Sequence, residues 1–339
     1  MPDFSNDCFT LTNLQPFHTF GLSAHCSALN LLETPEQIPL LEPEAPFWLL
    51  GEGSNCIFVE DFAGEVWVNR LSGIAVEERD NCFKIRVASG EHWHSFVKYC
   101  LNAGIYGFEN LALIPGTIGA APIQNIGAYG REVAEFIDSV EVIDLLTGEL
   151  FVLQAKECQF GYRDSIFKRP EHKFWFIRHV SFTVDKHLPM ALDYGELRQL
   201  ENPTPKTIFE TVVNVRQRKL PDPAELGNAG SFFKNPVITK EQFARIADQY
   251  AQVPHFAAGD NAVKIPAAWL IDQCGFKGRS LGGVQSHVNQ PLVLVNTGNA
   301  QGKDVVAFAR QIQSDVHARF GVRLENEVRL VGKLGDIQL

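Results

Sequence analysis

Residues 114–130 read Ile-Pro-Gly-Thr-Ile-Gly-Ala-Ala-Pro-Ile-Gln-Asn-Ile-Gly-Ala-Tyr-Gly: four glycines, three alanines and no charged side chain in seventeen positions. Neither a helical nor a strand period survives in such a run. Glycine permits positive φ and close approach of the backbone to another group. A stretch this bare leaves room for something else, and a long, flat ligand is the natural occupant. A second bare segment, Gly51-Glu52-Gly53-Ser54-Asn55, lies upstream. Loops without secondary structure in a compact domain are usually functional, so the pair points to a bound dinucleotide.

The familiar dinucleotide and phosphate signatures are absent. Gly51-x-Gly53 is followed by Cys56 where a Rossmann fingerprint needs its third glycine, and Cys56-Ile57-Phe58-Val59 is strand-like rather than helical. No Walker loop occurs. What remains is a strand–turn–strand whose successive N–H groups suit an anion nest. Taken alone, Gly51–Asn55 reads first as an ordinary glycine hairpin; the second glycine-rich segment shifts the weight.

A length of 339 residues suits two or three domains. The formal charge of −10 disfavours a nucleic-acid partner, which requires a basic face, but leaves room for a small anion held by a local cluster. No apolar run reaches about eighteen residues, so no membrane span is expected. The first residues, Met-Pro-Asp-Phe-Ser-Asn-Asp, lack a signal-peptide pattern. Seven scattered cysteines (8, 26, 56, 82, 100, 158, 274) include no Cys-x-x-Cys pair and read as reduced thiols in a cytoplasmic protein.

Along the chain, 28–33, 47–50, 56–59, 65–69 and 82–88 read as strands. Thr34-Pro35-Glu36-Gln37 opens a short helix with an N-cap, Pro at the first position and Gln three after the cap. Residues 92–102 read as a helix stopped by Gly104. Residues 139–144 and 149–153 form a hairpin around Thr147-Gly148, and 174–184 is another β-rich run. Thr207–Lys219 is helical and is broken by Leu220-Pro221-Asp222-Pro223. A new unit follows: a capping box at Thr239–Gln242, a helix over 266–274, a strand over 292–296, and a long helix whose buried face is Val305, Ala309, Ile312, Val316 and Phe320, ended by Gly321. Residues 327–331 read as the closing strand.

Several side chains carry chemistry under one reading and none under another. Gly161-Tyr162-Arg163-Asp164-Ser165 is a cation beside a phenol and a carboxylate, suited to gripping a carboxylate through the guanidinium fork, or a surface ion pair. Ser231 follows Ala-Gly as turn residues often do. With no obvious His-Asp pair it is a weak nucleophile candidate, but it can donate a proton to a strongly basic carbon. Arg216 and Lys219 suit a pyrophosphate, or a solvated helix end where cations offset the dipole. Glu327 and Arg329 share one face of the closing strand, as a cross-strand pair or as a proton-handling site. His92-Trp93-His94 lacks the accompanying spacing of a metal site, and no metal is expected.

Together these segments closely resemble the UDP-N-acetylenolpyruvoylglucosamine reductase family, from Thr19-Phe20-Gly21 to about Gly332. The resemblance is carried by Gly51–Asn55, Glu109–Gly130, Gly161–Ser165, Leu192-Asp193-Tyr194-Gly195, Lys219–Pro223, Gly227–Pro236, Trp269–Cys274 and Leu324–Arg329. It implies an α+β chain: an FAD-binding fold of the vanillyl-alcohol-oxidase (PCMH) type in two subdomains, 1–70 with the tail 326–339 and 71–221. A smaller α/β substrate-binding domain, 222–325, closes over the substrate. The Tyr162–Ser165 loop and Tyr194 resemble the subgroup with an extra substrate-covering loop. The implied catalytic set is Arg163, Ser231 and Glu327. The implied cofactor contacts are Gly51, Gly53, Ser54, Asn55, Gly119, Asn125, Gly127, Tyr129 and Arg329. Tyr162, Tyr194, Arg216, Lys219 and Asn235 would line the nucleotide-sugar site. Asn326 departs from the family, which often has proline there.

The resemblance further implies non-covalent FAD, NADPH as co-substrate, a UDP-sugar bearing an enolpyruvyl ether as substrate, and a cytoplasmic monomer working in peptidoglycan precursor synthesis. Hydride adds to the methylene carbon of the conjugated acid and charge develops toward its carboxylate, where Arg163 and Glu327 would meet it. Ser231 would protonate the adjacent carbon, and the cofactor supplies the redox chemistry. Two rival expectations are an alcohol or sugar oxidase on the same fold, disfavoured because neither glycine-rich loop holds a histidine to tether a flavin, and a non-enzymatic FAD or UDP-sugar binder.

Overall fold

A computed structural model describes residues 11–339. Cys8 and the N-terminal residues read against a signal peptide lie outside the described residues.

Phe62–Asn69 alternates in burial, with Phe62, Gly64, Val66 and Val68 turned inward. This strand is flanked on its two sides by His25–Leu32 and Phe47–Leu50, both parallel to it, and Thr12–Asn13 adds an antiparallel edge. Cys56–Phe58 leaves that sheet. It pairs in parallel with Arg329–Gly332, which folds back on Gly335–Ile337. The sequence-based hairpin across Gly51–Asn55 is therefore corrected: the two strands belong to different sheets, and the loop is the joint between them. Leu14, Trp48, Phe58, Phe62, Val66 and Val331 fill the core shared by both sheets.

The second sheet is wholly antiparallel, in the order Leu150–Gln154, Ile137–Asp144, Trp175–Asp185, Cys82–Ala88, Ile74–Glu78. Helix α1 (Trp93–Asn102) buries Trp93, Phe96, Val97 and Cys100, one face of a helix by spacing, against it. Helix α2 (Pro205–Lys219) starts with Thr204 accepting from the Thr207 N–H at 3.1 Å and with Pro at its first position, and it buries Ile208, Val212 and Val215. Trp93, Phe96, Phe108 and Phe182 pack ring on ring beneath these helices. Each such side chain is worth about 1.5–3 kcal/mol of burial, which fixes α1 and the segment following it.

The third region holds two small antiparallel sheets: Asn228–Ser231, Val293–Asn296, Val284–Ser286 and Ser280–Leu281, then Val237–Thr239, Ala262–Lys264 and Phe256–Ala257. They pack with α3 (Lys240–Ala247), α4 (Ala267–Gln273) and α5 (Gly302–Phe320). The buried face of α5 is Val305, Phe308, Ala309, Ile312 and Val316, and Gly321 ends it at φ +65°. The sequence reading gave this face without Phe308 and with Phe320, which is only partly buried.

Three other readings change. The turn after Thr34 is a single 3-10 turn, Pro35–Gln37, although its capping box forms. The closing strand begins at Arg329, so Glu327 stands outside it and shares no strand face with Arg329; a further strand, Gly335–Ile337, follows. Glu327 is instead held by the chain crossing over it, its N–H donating to Phe232 O at 2.8 Å. No described helix is long and apolar enough to cross a membrane.

Candidate active site

Gly161 and Asp164 exchange both backbone hydrogen bonds, at 2.9 and 3.2 Å, which puts Tyr162 and Arg163 at the tip of a tight turn. Arg163 is left-handed there, at φ +52°. The turn is pinned from outside by Asn125 Nδ2, which donates to Gly161 O at 3.1 Å, and by Ser165 Oγ, which donates to Ile123 O at 2.6 Å. Asp164 is committed to Arg169 through two contacts, 2.9 and 3.2 Å, so it is part of the scaffold rather than a free acid.

The Arg163 guanidinium reaches two groups. Nη2 donates to Gly127 O at 3.0 Å, and Nε lies 2.9 Å from Glu327 Oε1. A Cβ at Gly127 would meet Arg131 O and Glu132 Cγ at 2.9 Å, so only glycine lets the glycine-rich run come this close. The two side chains are 20% and 12% exposed, so the pair is screened little and removal of one partner strands the other. Burial raises the pKa of Glu327; Arg163, Lys168 and Lys234 each pull it back, and burial wins. A carboxyl biased toward holding a proton, beside a guanidinium, is the arrangement that receives developing negative charge. The Arg163 Nε is buried, and its 2.9 Å approach to Glu327 Oε1 is an ion pair without a well-aligned hydrogen bond.

Ser231 ends the strand Asn228–Ser231, and the chain runs on antiparallel to 325–327, with Phe232 facing Glu327 and Lys234 N donating to Glu325 O at 2.9 Å. Ser231 is thus one residue from the backbone partner of Glu327. No described residue hydrogen-bonds its hydroxyl. Asn326, the departure from the family pattern, ties off the crossing by donating to Val328 O at 2.7 Å.

The residues expected around a nucleotide-sugar separate into groups. Tyr162 has the Lys264 ammonium 4.3 Å from its ring centre, and burial raises the pKa of its phenol. Asn235 Oδ1 accepts the Ala267 N–H at the start of α4, so part of that side chain serves the fold. Tyr194 meets Tyr129 edge-on at 5.7 Å and stacks on Phe256 at 6.3 Å. Arg216 is turned inward: Nε donates to Leu113 O at 3.2 Å, and burial lowers its pKa. Lys219 remains exposed at the end of α2, with no ion pair among the described residues. Arg218 is taken by Glu196 at 2.6 Å.

The cofactor candidates are less bare than the sequence suggests. A Cβ at Gly51 would meet Thr117 Oγ1 at 2.7 Å, one at Gly53 would meet Phe17 O at 2.1 Å, and one at Gly119 would meet Ser89 Cβ at 2.7 Å. At these positions glycine admits protein against protein. Asn125 is buried, with Nδ2 on Glu132 as well as Gly161 and Oδ1 on the Ala134 N–H. Asn55 donates to Gln124 Oε1 at 3.2 Å and to Glu327 O at 3.3 Å. Arg329 pairs with Asp336 and lies 4.1 Å over Trp48. What does fit a diphosphate-containing cofactor is the backbone of the first loop: the N–H groups of Glu52, Gly53, Ser54 and Asn55 have no protein acceptor among the described residues, and Ser54 Oγ faces Gly116. Four consecutive free donors are an anion cradle. Of the seven non-glycine residues with left-handed backbone among the described residues, four, Leu113, Asn125, Tyr129 and Arg163, cluster here, as strain does at functional sites.

Sequence reasoning missed several residues that hold this arrangement. Glu52 accepts the Gly116 N–H at 2.6 Å and contacts His92, joining the two loops. His94 Nδ1 accepts the Leu113 N–H at 2.9 Å, and Lys168 grips Arg163 O. Glu52 sits inside the Gly51–Asn55 loop and was readable as its one charge; His94 depends on a partner nineteen residues away, and Lys168 on a tight turn that brings the Arg163 carbonyl back to it. Among the described residues no cluster of His, Cys, Asp and Glu could hold a metal ion.

Residues 222–331 match the family model described as UDP-N-acetylenolpyruvoylglucosamine reductase, C-terminal domain, and 41–154 match that of an FAD binding domain. The UDP-N-acetylenolpyruvoylglucosamine reductase of Pseudoalteromonas atlantica is 48% identical over 335 residues, covering 97% of this chain and 96% of its own. That of Escherichia coli O157:H7 is 42% identical over 332 residues, 96% and 97%. The crystal structure of UDP-N-acetylenolpyruvylglucosamine reductase from Thermus caldophilus superimposes with a TM-score of 0.66 at 23% identity, covering 94% of this chain and 98% of that one, a likeness of fold.

Proposed function

The chain belongs to the UDP-N-acetylenolpyruvoylglucosamine reductase family, and from that premise we infer that it reduces UDP-N-acetylglucosamine enolpyruvate to UDP-N-acetylmuramate in peptidoglycan precursor synthesis, with bound FAD and NADPH as reductant. The observation that carries the reading is the buried Arg163–Glu327 pair, 2.9 Å apart, one residue along the backbone ladder from Ser231. When bound, FAD supplies the hydride chemistry, recharged by NADPH. The free N–H groups of the Gly51–Asn55 loop would hold its diphosphate, with Gly119, Asn125, Gly127, Tyr129 and Arg329 as further candidate contacts.

The protein's own part is electrostatic and protic. Arg163 and Glu327, the latter protonated or bridging, face the substrate carboxylate and steady its charge as it grows. Ser231 gives a proton to the adjacent carbon; its hydroxyl is free to do so, and the acceptor is far more basic than water. Arg216 and Lys219 serve the pyrophosphate, with Tyr162, Tyr194 and Asn235 around the sugar and base. We further assign three units, 1–70 with 326–339, 71–221 and 222–325, and a cytoplasmic monomer. The pairing of 329–332 with 56–58 supports placing the tail with the first unit.

An absorption spectrum tests the activity. Purified protein is expected to be yellow, to bleach with NADPH, and to regain colour on addition of the enolpyruvyl UDP-sugar under anaerobic conditions. Colour regained only with oxygen, accompanied by peroxide, would overturn the reading in favour of an oxidase. A protein that stays colourless after reconstitution with FAD would point to a non-enzymatic binder.

A further inference from the structure

Arg163 pays a local cost for its place. A left-handed L-residue other than glycine or asparagine is disfavoured by about 1–2 kcal/mol, so something must hold the turn. Asn125 and Ser165 pin its neighbours and Arg169 holds Asp164, but one side chain grips Arg163's own backbone: Lys168 Nζ donates to Arg163 O at 3.0 Å. Lys168 ends the short 3-10 turn Ile166–Lys168, which folds the chain back under the Tyr162–Arg163 tip.

A neutral donor would suffice for that hydrogen bond, and the surroundings are hostile to a cation. Burial lowers the Lys168 pKa, and Lys234 and Arg329 lower it further, while Asp164 and Glu327 support the charge. The groups facing Glu327 are Arg163 and Tyr162 from the turn tip, Lys168 from the 3-10 segment, and Lys234 from the chain beyond Ser231. We propose that Lys168 is a positioning residue of the reaction centre: its ammonium locks Arg163 into the left-handed turn and adds a second positive charge beside the Arg163–Glu327 pair. The role rests on the reading of Arg163 and Glu327 as the pair that meets the substrate carboxylate.

The two contributions separate by substitution. Lys168→Met removes hydrogen bond and charge, Lys168→Gln keeps a donor without charge, and Lys168→Arg keeps both. A cation near Glu327 favours its ionised form, so removing it raises the pH at which Glu327 loses its proton. The rate at which substrate reoxidises the prereduced holoenzyme is measured between about pH 5.5 and 8.5, with reduction by NADPH as the companion half-reaction. Lys168→Met is expected to slow substrate reduction by roughly 10- to 100-fold and to move its pH limb upward by on the order of one unit. Lys168→Gln should recover rate but keep the shift, and Lys168→Arg should restore the wild-type limb. Where Lys168→Met yields no folded protein, the Gln and Arg variants carry the same contrast. A limb that Glu327→Gln abolishes but no Lys168 variant moves would overturn the Lys168 role alone. A wild-type limb surviving in Glu327→Gln would overturn the assignment of Glu327 itself, and this role with it.

Discussion

Ser231 presents a hydroxyl that no described side chain or backbone group engages, next in line to the residue that pairs with Glu327. Its replacement should therefore cost chemistry rather than fold. Ser231→Ala is expected to keep its flavin and its reduction by NADPH while substrate reduction falls by roughly 10²–10⁴-fold, the usual worth of a positioned proton donor. Rapid mixing of the two half-reactions checks this, and equal loss in both would argue for a structural Ser231. At this scale the sequence was informative where a residue type implies its chemistry: Arg163 and Glu327 do meet. It was silent on Lys168 and His94, whose parts depend on a carbonyl or an N–H that only the folded chain brings to them. It misjudged Glu327 and Arg329 as face-sharing neighbours, because a crossing at Phe232 delays the strand by two residues.

Elements were legible where local rules govern. The capping boxes at Thr34 and Thr239 form, the helix-ending glycines take positive φ, and the apolar face of α5 is buried. Sheet membership was not legible, since Phe47–Leu50 and Cys56–Phe58 look like a hairpin but find partners far from each other. Their linker shows the difference between a turn and a joint. Gly53 sits at φ +65°, and any Cβ there would collide with Phe17 O at 2.1 Å. Gly53→Ala is expected to destabilise the protein by at least about 1–2 kcal/mol from the backbone term alone, with a further loss of FAD retention as the N–H cradle shifts. Thermal unfolding and the flavin-to-protein absorbance ratio measure both; unchanged values would mean that the loop relaxes freely.

For the molecule as a whole, the first sheets cannot be completed without residues from the far end of the chain. Cys56–Phe58 takes its neighbour from Arg329–Gly332, Val331 is buried among Trp48, Phe58 and Phe62, and Arg329 N donates to Asn55 O at 3.0 Å. A chain ending after Val328 is expected to lose its cooperative thermal transition and to bind no FAD, although every helix and both candidate catalytic loops are retained. Circular dichroism melting and gel filtration with added FAD would register this. A truncated protein that melts sharply and stays yellow would mean that the tail only decorates the first unit.

That pairing also sets a schedule. During synthesis, the strand at Cys56–Phe58 leaves the ribosome long before its partner exists, and at roughly 5–20 residues per second the wait amounts to tens of seconds. Through that interval the strand edge is bare and the cradle lacks one wall, so flavin loading is expected only once the chain is finished.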